Sequence, residues 1–259
     1  MKGVLATFWA EILKIRRSRI FLISLLISFC IPMMMGFLMF VVKNPELSSK
    51  LGIVSTKASM FGKADWPTYF GLLTEGIAGI GALGFAFVTS WVFGREYSDR
   101  TVTDLLALPV SRSFIVLSKF MVVVIWCALL SLLFFVFGLL IGGIIGLSGW
   151  SGEIAFLAAC NFTVTSLLTI VLCAPVAFFA SYGRGYLPPM GFAISTLIAA
   201  QFIGILGLAP YFPWAIPISF STVGADGVQL GAVSYIILLS ASIVGFLATF
   251  AWWRFADQT

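Results

Sequence analysis

Residues 94–113 read GREYSDRTVTDLLALPVSRS, a short segment dense in charge. The runs on either side, 67–93 and 114–146, are apolar and long enough to cross a bilayer, which takes about 20 residues at ~1.5 Å each. A charged segment between two such runs is a loop at a membrane surface. Reading outward, four more runs qualify, at 20–42, 154–180, 188–208 and 231–253. The sequence therefore predicts an all-α integral membrane protein of six transmembrane helices, forming a single domain over residues 1–259. Spans two to four exceed the minimum length, which predicts tilt, kinks or helical extension beyond the bilayer, and Pro175 is the expected kink in the fourth.

Composition agrees. The chain has 259 residues, of which 61% are hydrophobic and 10% charged, and it has no histidine. An ordinary soluble domain is about a quarter charged. The missing histidine removes the commonest general base and catalytic metal ligand. No metal site is expected. Cys30, Cys127, Cys160 and Cys173 each sit in an apolar run without CxxC spacing, so they read as buried free thiols. No cleavable signal is expected, because Arg16, Arg17 and Arg19 precede 23 apolar residues, against about 7–15 for a signal core.

Charge placement predicts orientation. With the N-terminus inside, all eight arginines fall on one side, joined by Lys2, Lys14 and Lys119, while the outer loops carry Lys43, Lys50, Lys57 and Lys63. By the positive-inside rule both termini are cytoplasmic. The net charge of +5 thus reports orientation and not a nucleic-acid partner. Trp66, Trp150 and Trp214 are expected at the outer interface and Trp91, Trp252 and Trp253 at the inner one, with Trp126 deeper as a packing residue. Before the first span, Leu5, Phe8, Trp9, Ile12 and Leu13 recur at helical spacing with Thr7, Glu11, Lys14 and Ser18 opposite. Residues 1–19 therefore predict an amphipathic helix in the inner headgroup plane.

Within 94–113, Thr101 and Asp104 form a capping-box-like pair ahead of Leu105, Leu106, Ala107 and Leu108, and Pro109 ends or bends the helix. Val102, Leu105, Leu106 and Pro109 share a face. A capped helix with an apolar face on the cytoplasmic side suits docking into a groove on a partner.

The longer stretch FGREYSDRTVTDLLALPVSRSFIVLSKF, 93–120, resembles the signature of ABC-2 type permeases, the membrane subunits of ATP-driven exporters. The resemblance rests on an acid ending the second span, then a Thr, a Leu-Leu pair, a Pro, a Ser-Arg and a Lys opening the third span. Here these are Glu96, Thr101, Leu105, Leu106, Pro109, Ser111, Arg112 and Lys119. Many relatives have Gly before the Thr, where this chain has Arg100, so the local turn is expected to differ. The EYSDRT and LLALPVSR forms most resemble bacitracin and lantibiotic self-protection permeases.

The resemblance implies a bacterial plasma-membrane permease that pairs with a second permease chain, identical or sister, and with two cytoplasmic ABC ATPase subunits. ATP and Mg would be bound by the partner and no cofactor by this chain. It implies that residues 94–113 form the coupling helix, with Arg95, Glu96, Asp99, Arg100, Thr101, Asp104, Leu105, Leu106, Pro109, Arg112 and Lys119 serving the ATPase contact. It also implies that 209–230 re-enters the membrane from outside, and that the cargo is an amphipathic or antimicrobial peptide or another hydrophobic compound.

Other features bear on the alternatives. Glu75 is an ionisable residue well inside a span, a placement that costs a few kcal/mol and by default signals a role in the path or the dimer interface. Gly138, Gly142 and Gly146 repeat every four residues and predict close helix packing. No GxxxxGK[ST] motif occurs, which places ATP on another chain. No GxSxG, paired acids or Cys–His pair offers catalysis, so an enzyme is not expected. A self-contained secondary transporter or channel would need several intramembrane ionisable groups or an inverted repeat.

Overall fold

The computed structural model describes residues 2–44, 63–102, 110–222 and 230–255, with side chains from Thr7 onward. Apart from one parallel bridge between Asp65 and Ser148, the regular structure among these residues is helical. Helix α1 spans Lys2–Arg16 and α2 spans Arg19–Lys43. Then come α3 (Trp66–Gly76), a π-helical turn (Ile77–Gly81), α4 (Ala82–Ser98) and α5 (Arg112–Ile145). The rest are α6 (Gly152–Val171), α7 (Cys173–Tyr182), α8 (Leu187–Ile205), a 3-10 turn (Ala209–Tyr211), α9 (Ile216–Ser221) and α10 (Ala232–Phe255). Six stretches are long and apolar enough to cross a membrane: Arg19–Lys43, Trp66–Ser98, Arg112–Ile145, Gly152–Tyr182, Leu187–Ile205 and Ala232–Phe255. The chain is a multi-pass membrane protein.

Local chemistry sets the ends of these helices. Ser18, Asp65, Ser111 and Ser151 cap α2, α3, α5 and α6 by accepting from the amides of Ile20, Thr68, Phe114 and Ile154. Gly146 closes α5 at φ +68°, a left-handed turn that favours glycine. The fifth span stops at Ile205, three residues before the sequence reading, because Gly207 turns left-handed and the Leu208 amide bonds back to the Ile203 carbonyl. The fourth span breaks at Leu172, three residues before Pro175. Proline lacks an amide donor and its ring crowds the carbonyl four residues back, that of Val171.

The second and fourth spans are the interior ones, with 67% and 61% of their most apolar windows buried, against 28%, 17% and 28% for the first, fifth and sixth. Their neighbours pack by hydrogen bonds and small residues. Ser28 Oγ donates to the Leu130 carbonyl at 2.9 Å and Trp126 Nε1 donates to Ser24 Oγ at 3.2 Å, tying α2 to α5. In lipid no hydrophobic difference drives helices together, so such contacts carry the association.

Several side chains sit elsewhere than the sequence suggests. Trp66, Trp91 and Trp253 are buried against other side chains. Trp66 meets Tyr69, Phe70 and Trp150, Trp91 meets Trp126, and Trp253 Nε1 donates to Ser181 Oγ at 2.9 Å. A ring with one donor is as well satisfied by a protein acceptor as by a headgroup. Trp126 is buried. All four cysteines are free, but Cys30 and Cys160 are exposed while only Cys127 and Cys173 are buried.

Helix α1 docks by a mixed face, with Ile15 buried and Phe8 and Ile12 packed on the core beside a buried acid. Glu11 is buried and Thr7 bonds to Ser118 on α5 at 2.8 Å, whereas Trp9 is 58% and Leu13 38% exposed. Phe8 and Ile12 are half-buried at the seam.

Between the fifth and sixth spans, Ala209, Ala215 and Ile216 are buried, and Ile216 packs with Leu172 and Leu238. Residues 223–229 of that segment lie outside the described residues.

Candidate functional site

At one end of the bundle four ionisable side chains from three helices converge. Lys119, the eighth residue of α5, has a side chain with no exposed surface. Its Nζ donates to the Val92 carbonyl at 2.7 Å and to Glu96 Oε1 at 2.8 Å, both on α4, and lies 3.6 Å from Glu11 Oε2 on α1. Lys14 Nζ bridges the same acids from the outer side, at 2.7 Å from Glu11 Oε1 and 3.0 Å from Glu96 Oε1. Two carboxylates and two ammonium groups balance in charge. Taking such ions from water costs several kcal/mol each, and only good geometry and complete pairing repay it. Glu96 Oε2 is buried with no donor among the described residues.

Lys14 lies outside the spans, and its pKa shows which influence wins. Burial works against its charge, but Glu11 and Glu96 outweigh that and raise the pKa above the ordinary lysine value. The Lys14 ammonium is therefore held, not expelled, by the network.

The network sits directly under the stem of the 94–113 loop. Helix α4 ends with the Arg100 amide bonding to the Tyr97 carbonyl and the Thr101 amide to the Glu96 carbonyl, at 3.3 and 2.9 Å. This crossed pair is a Schellman turn, whose penultimate position is usually glycine. Arg100 occupies it at φ +57°. The glycine-type turn is thus kept, contrary to the expectation that Arg100 changes it, at the cost of a strained residue.

The other sequence-derived positions distribute as follows. Arg95 Nε pairs with Asp99 Oδ2 at 3.1 Å and its guanidinium lies 5.0 Å from the Trp91 ring. Asp99 and Thr101 are exposed. Arg112 Nη1 donates to the Trp253 carbonyl at 3.4 Å, linking the start of α5 to the end of α10. Asp104, Leu105, Leu106 and Pro109 lie outside the described residues. Gly138 faces Leu73, Gly142 faces Trp66 and Tyr69, and Gly146 is the left-handed cap of α5 beside Lys43. Lys43 Nζ donates to the carbonyls of Ile145 and Gly146.

Glu75 is not part of the network. It lies near the other end of the second span, 21 positions from Glu96 and so roughly 30 Å away by helical rise, and it is exposed. It stands on a face with Gly71 and Gly79, where an added Cβ would meet nothing within 4 Å. Beyond it, the π-helical turn floors an apolar cavity of about 250 Å³ among α2, α4 and α5, lined in part by Ile27, Ile77, Ile80, Gly81, Leu130 and Phe134.

Glu11 and Lys14 are members of the site that sequence reasoning placed on a solvent face. Their spacing of three residues, opposite Trp9 and Leu13, and a lysine six positions into an apolar span were the available signals. A lysine so placed requires a carboxylate from another element. Chemically the cluster pairs charges and holds no nucleophile beside a base. Its geometry is that of a clamp fastening α1, α4 and α5 where the charged loop begins.

A family model described as ABC-2 family transporter protein matches residues 7–200. The chain is also 26% identical over 182 residues to the bacitracin transport permease protein BCRB of Bacillus licheniformis, covering 69% of this chain and 86% of that protein. Both the clamp and Glu75 fall within the family match.

Proposed function

The chain belongs to the ABC-2 transporter family, and we propose that it is the permease subunit of an ATP-driven exporter whose stroke arrives through residues 94–113. ABC ATPase partners follow from the family. Two ATPase subunits, a paired second permease, cytoplasmic termini and a bacterial plasma membrane complete the reading. ATP and Mg reside on the ATPase.

The observation that carries the reading is the buried clamp. Glu96 ends the second span, Lys119 begins the third, and both are fastened to Glu11 and Lys14 on α1. A push on the loop would therefore move α1 and two spans as one body, since charged contacts buried this well resist separation. Arg95, Asp99, Arg100, Thr101, Asp104, Leu105, Leu106, Pro109 and Arg112 supply the contact with the ATPase. The outer re-entrant reading of 209–230 is supported, in its described part, by the buried Ala215 and Ile216.

For cargo, the similarity to a bacitracin transport permease supports an amphipathic antimicrobial peptide or a similar hydrophobic compound. Glu75, exposed on a face it shares with Gly71 and Gly79, faces the path or the partner permease.

The test is co-expression with candidate ABC ATPases, followed by co-purification and peptide-stimulated ATP hydrolysis. Wild type should retain an ATPase and hydrolyse ATP faster with peptide. Replacing Leu105 and Leu106 by aspartate should abolish retention without unfolding the permease. Full transport by the chain reconstituted alone would overturn the reading.

A further inference from the structure

The outward face of α1 carries a patch that the clamp does not use. Trp9 and Leu13 are exposed and four residues apart, and Arg16 and Arg17 follow three and four positions later, so one helical face runs from an indole through a leucine into two guanidinium groups. The chain then turns tightly, with the Arg17 amide on the Leu13 carbonyl and the Ser18 amide on the Ile15 carbonyl. Exposed Arg19, the first residue of α2, follows directly on that turn. Among the described residues no carboxylate lies within ion-pair distance of these three arginines. By contrast Lys14, Arg95, Arg112 and Lys119 are each held by a protein acceptor.

We propose that this face binds the headgroup of an anionic phospholipid. Trp9 and Leu13 sit where hydrocarbon meets headgroups, the level that indoles favour, and Arg16, Arg17 and Arg19 gather around the phosphate. Guanidinium groups suit this because they offer several donors in one plane to phosphate oxygens. A docked ATPase fits the face less well, since an exposed indole and leucine beside the start of a span adjoin lipid, not water. The opposite face of the same helix presents Glu11 and Lys14 to the clamp. Lipid on the outer face therefore fixes the position from which the clamp works and makes coupling sensitive to membrane charge. The inference rests on the cytoplasmic placement of α1 proposed above.

The test is native mass spectrometry of the purified chain in neutral detergent, titrated with phosphatidylglycerol or phosphatidylcholine. Wild type should retain phosphatidylglycerol preferentially. Each arginine near a membrane surface contributes about a fivefold gain in binding, so the triple R16Q/R17Q/R19Q variant should lose on the order of a hundredfold. Its phosphatidylcholine retention should not change. The triple Arg→Lys variant should keep the preference, which separates lost charge from misfolding. Equal retention of both lipids by wild type, or undiminished phosphatidylglycerol binding by the Gln variant, overturns the proposal. So does a Gln variant that keeps lipid yet loses a co-purifying ATPase, which would make the patch a protein dock. Lipid binding is measured with no ATPase present, so failure here leaves the coupling reading intact, and the reverse also holds.

Discussion

Lys119 and Glu96, 23 positions apart and on different helices, meet at 2.8 Å with neither side chain more than 5% exposed. Because both are charged and desolvated, each depends on the other more than on any solvent. Removing both should cost less than the two single removals added together. Lys119→Met leaves two acids facing a single lysine and should cost about 3–5 kcal/mol, as should Glu96→Gln. The double variant should cost clearly less than the sum, because no ion is then orphaned. Reversible unfolding in mixed micelles measures this, and strict additivity would show that the pair is not coupled.

The clamp also predicts how α1 is held. Thr7 Oγ and Ser118 Oγ lie 2.8 Å apart, close enough for a pair of cysteines to bridge with small adjustment. In a background with the four native cysteines replaced, Thr7→Cys/Ser118→Cys should cross-link readily under mild oxidation. Adding Glu11→Gln should slow the cross-linking several-fold, since α1 then loses its salt link to Lys119 on α5. An unchanged rate would mean that apolar packing alone seats the helix.

Membrane spans are the most legible part of this chain, because hydrocarbon thickness imposes a length and a composition on each one. All six lie where the apolar runs put them. What the sequence hides are pairings made across large separations. Glu11 and Glu96 each look like solvent-facing acids, and only the fold brings both to Lys119. The π-helical turn at Ile77–Gly81 leaves no periodic trace either, since one extra residue in a turn changes no composition. The buried tryptophans illustrate the same limit, for an indole near the end of a span fits a headgroup or a serine hydroxyl equally well.

The strained turn at Arg100 gives a prediction of opposite sign. A left-handed conformation costs a side chain about 1–2 kcal/mol, which glycine avoids. Arg100→Gly should therefore raise stability, by about 1 kcal/mol once the greater freedom of unfolded glycine is deducted. Arg100→Val, branched at Cβ, should lower it. Thermal unfolding in detergent checks the order Gly, Arg, Val. Any other order would show that the arginine side chain makes compensating contacts.

The raised pKa of Lys14 fixes a pH window. A lysine whose pKa is higher folded than unfolded contributes stability in full below the unfolded value of 10.5 and loses it as pH rises through the folded value. The difference in melting temperature between wild type and Lys14→Met should thus be flat from about pH 6 to 9 and shrink only in stronger alkali. A difference that shrinks near neutral pH would place the lysine's proton elsewhere than between Glu11 and Glu96.

Substitution at Glu75 tests the proposed path apart from the clamp. It lies nine positions past Trp66, about 14 Å along the helix, on the open face shared with Gly71 and Gly79. If that face receives cargo, the carboxylate supplies a charged hydrogen bond, worth about 1.5–3 kcal/mol. Glu75→Gln should then raise the peptide concentration needed for half-maximal ATPase stimulation by roughly tenfold or more, leaving ATPase retention as in wild type. If the face instead meets a second permease, the same substitution should weaken the dimer, as seen by cross-linking or light scattering, with little change in peptide response. Neither effect would reduce Glu75 to a packing residue, and Gly79→Leu would then be tolerated as well. The clamp variants should behave oppositely, with ATPase coupling lost and the peptide concentration dependence of any residual stimulation unchanged. Substitutions at Glu75 and at Glu96 are thus told apart by which readout each one changes.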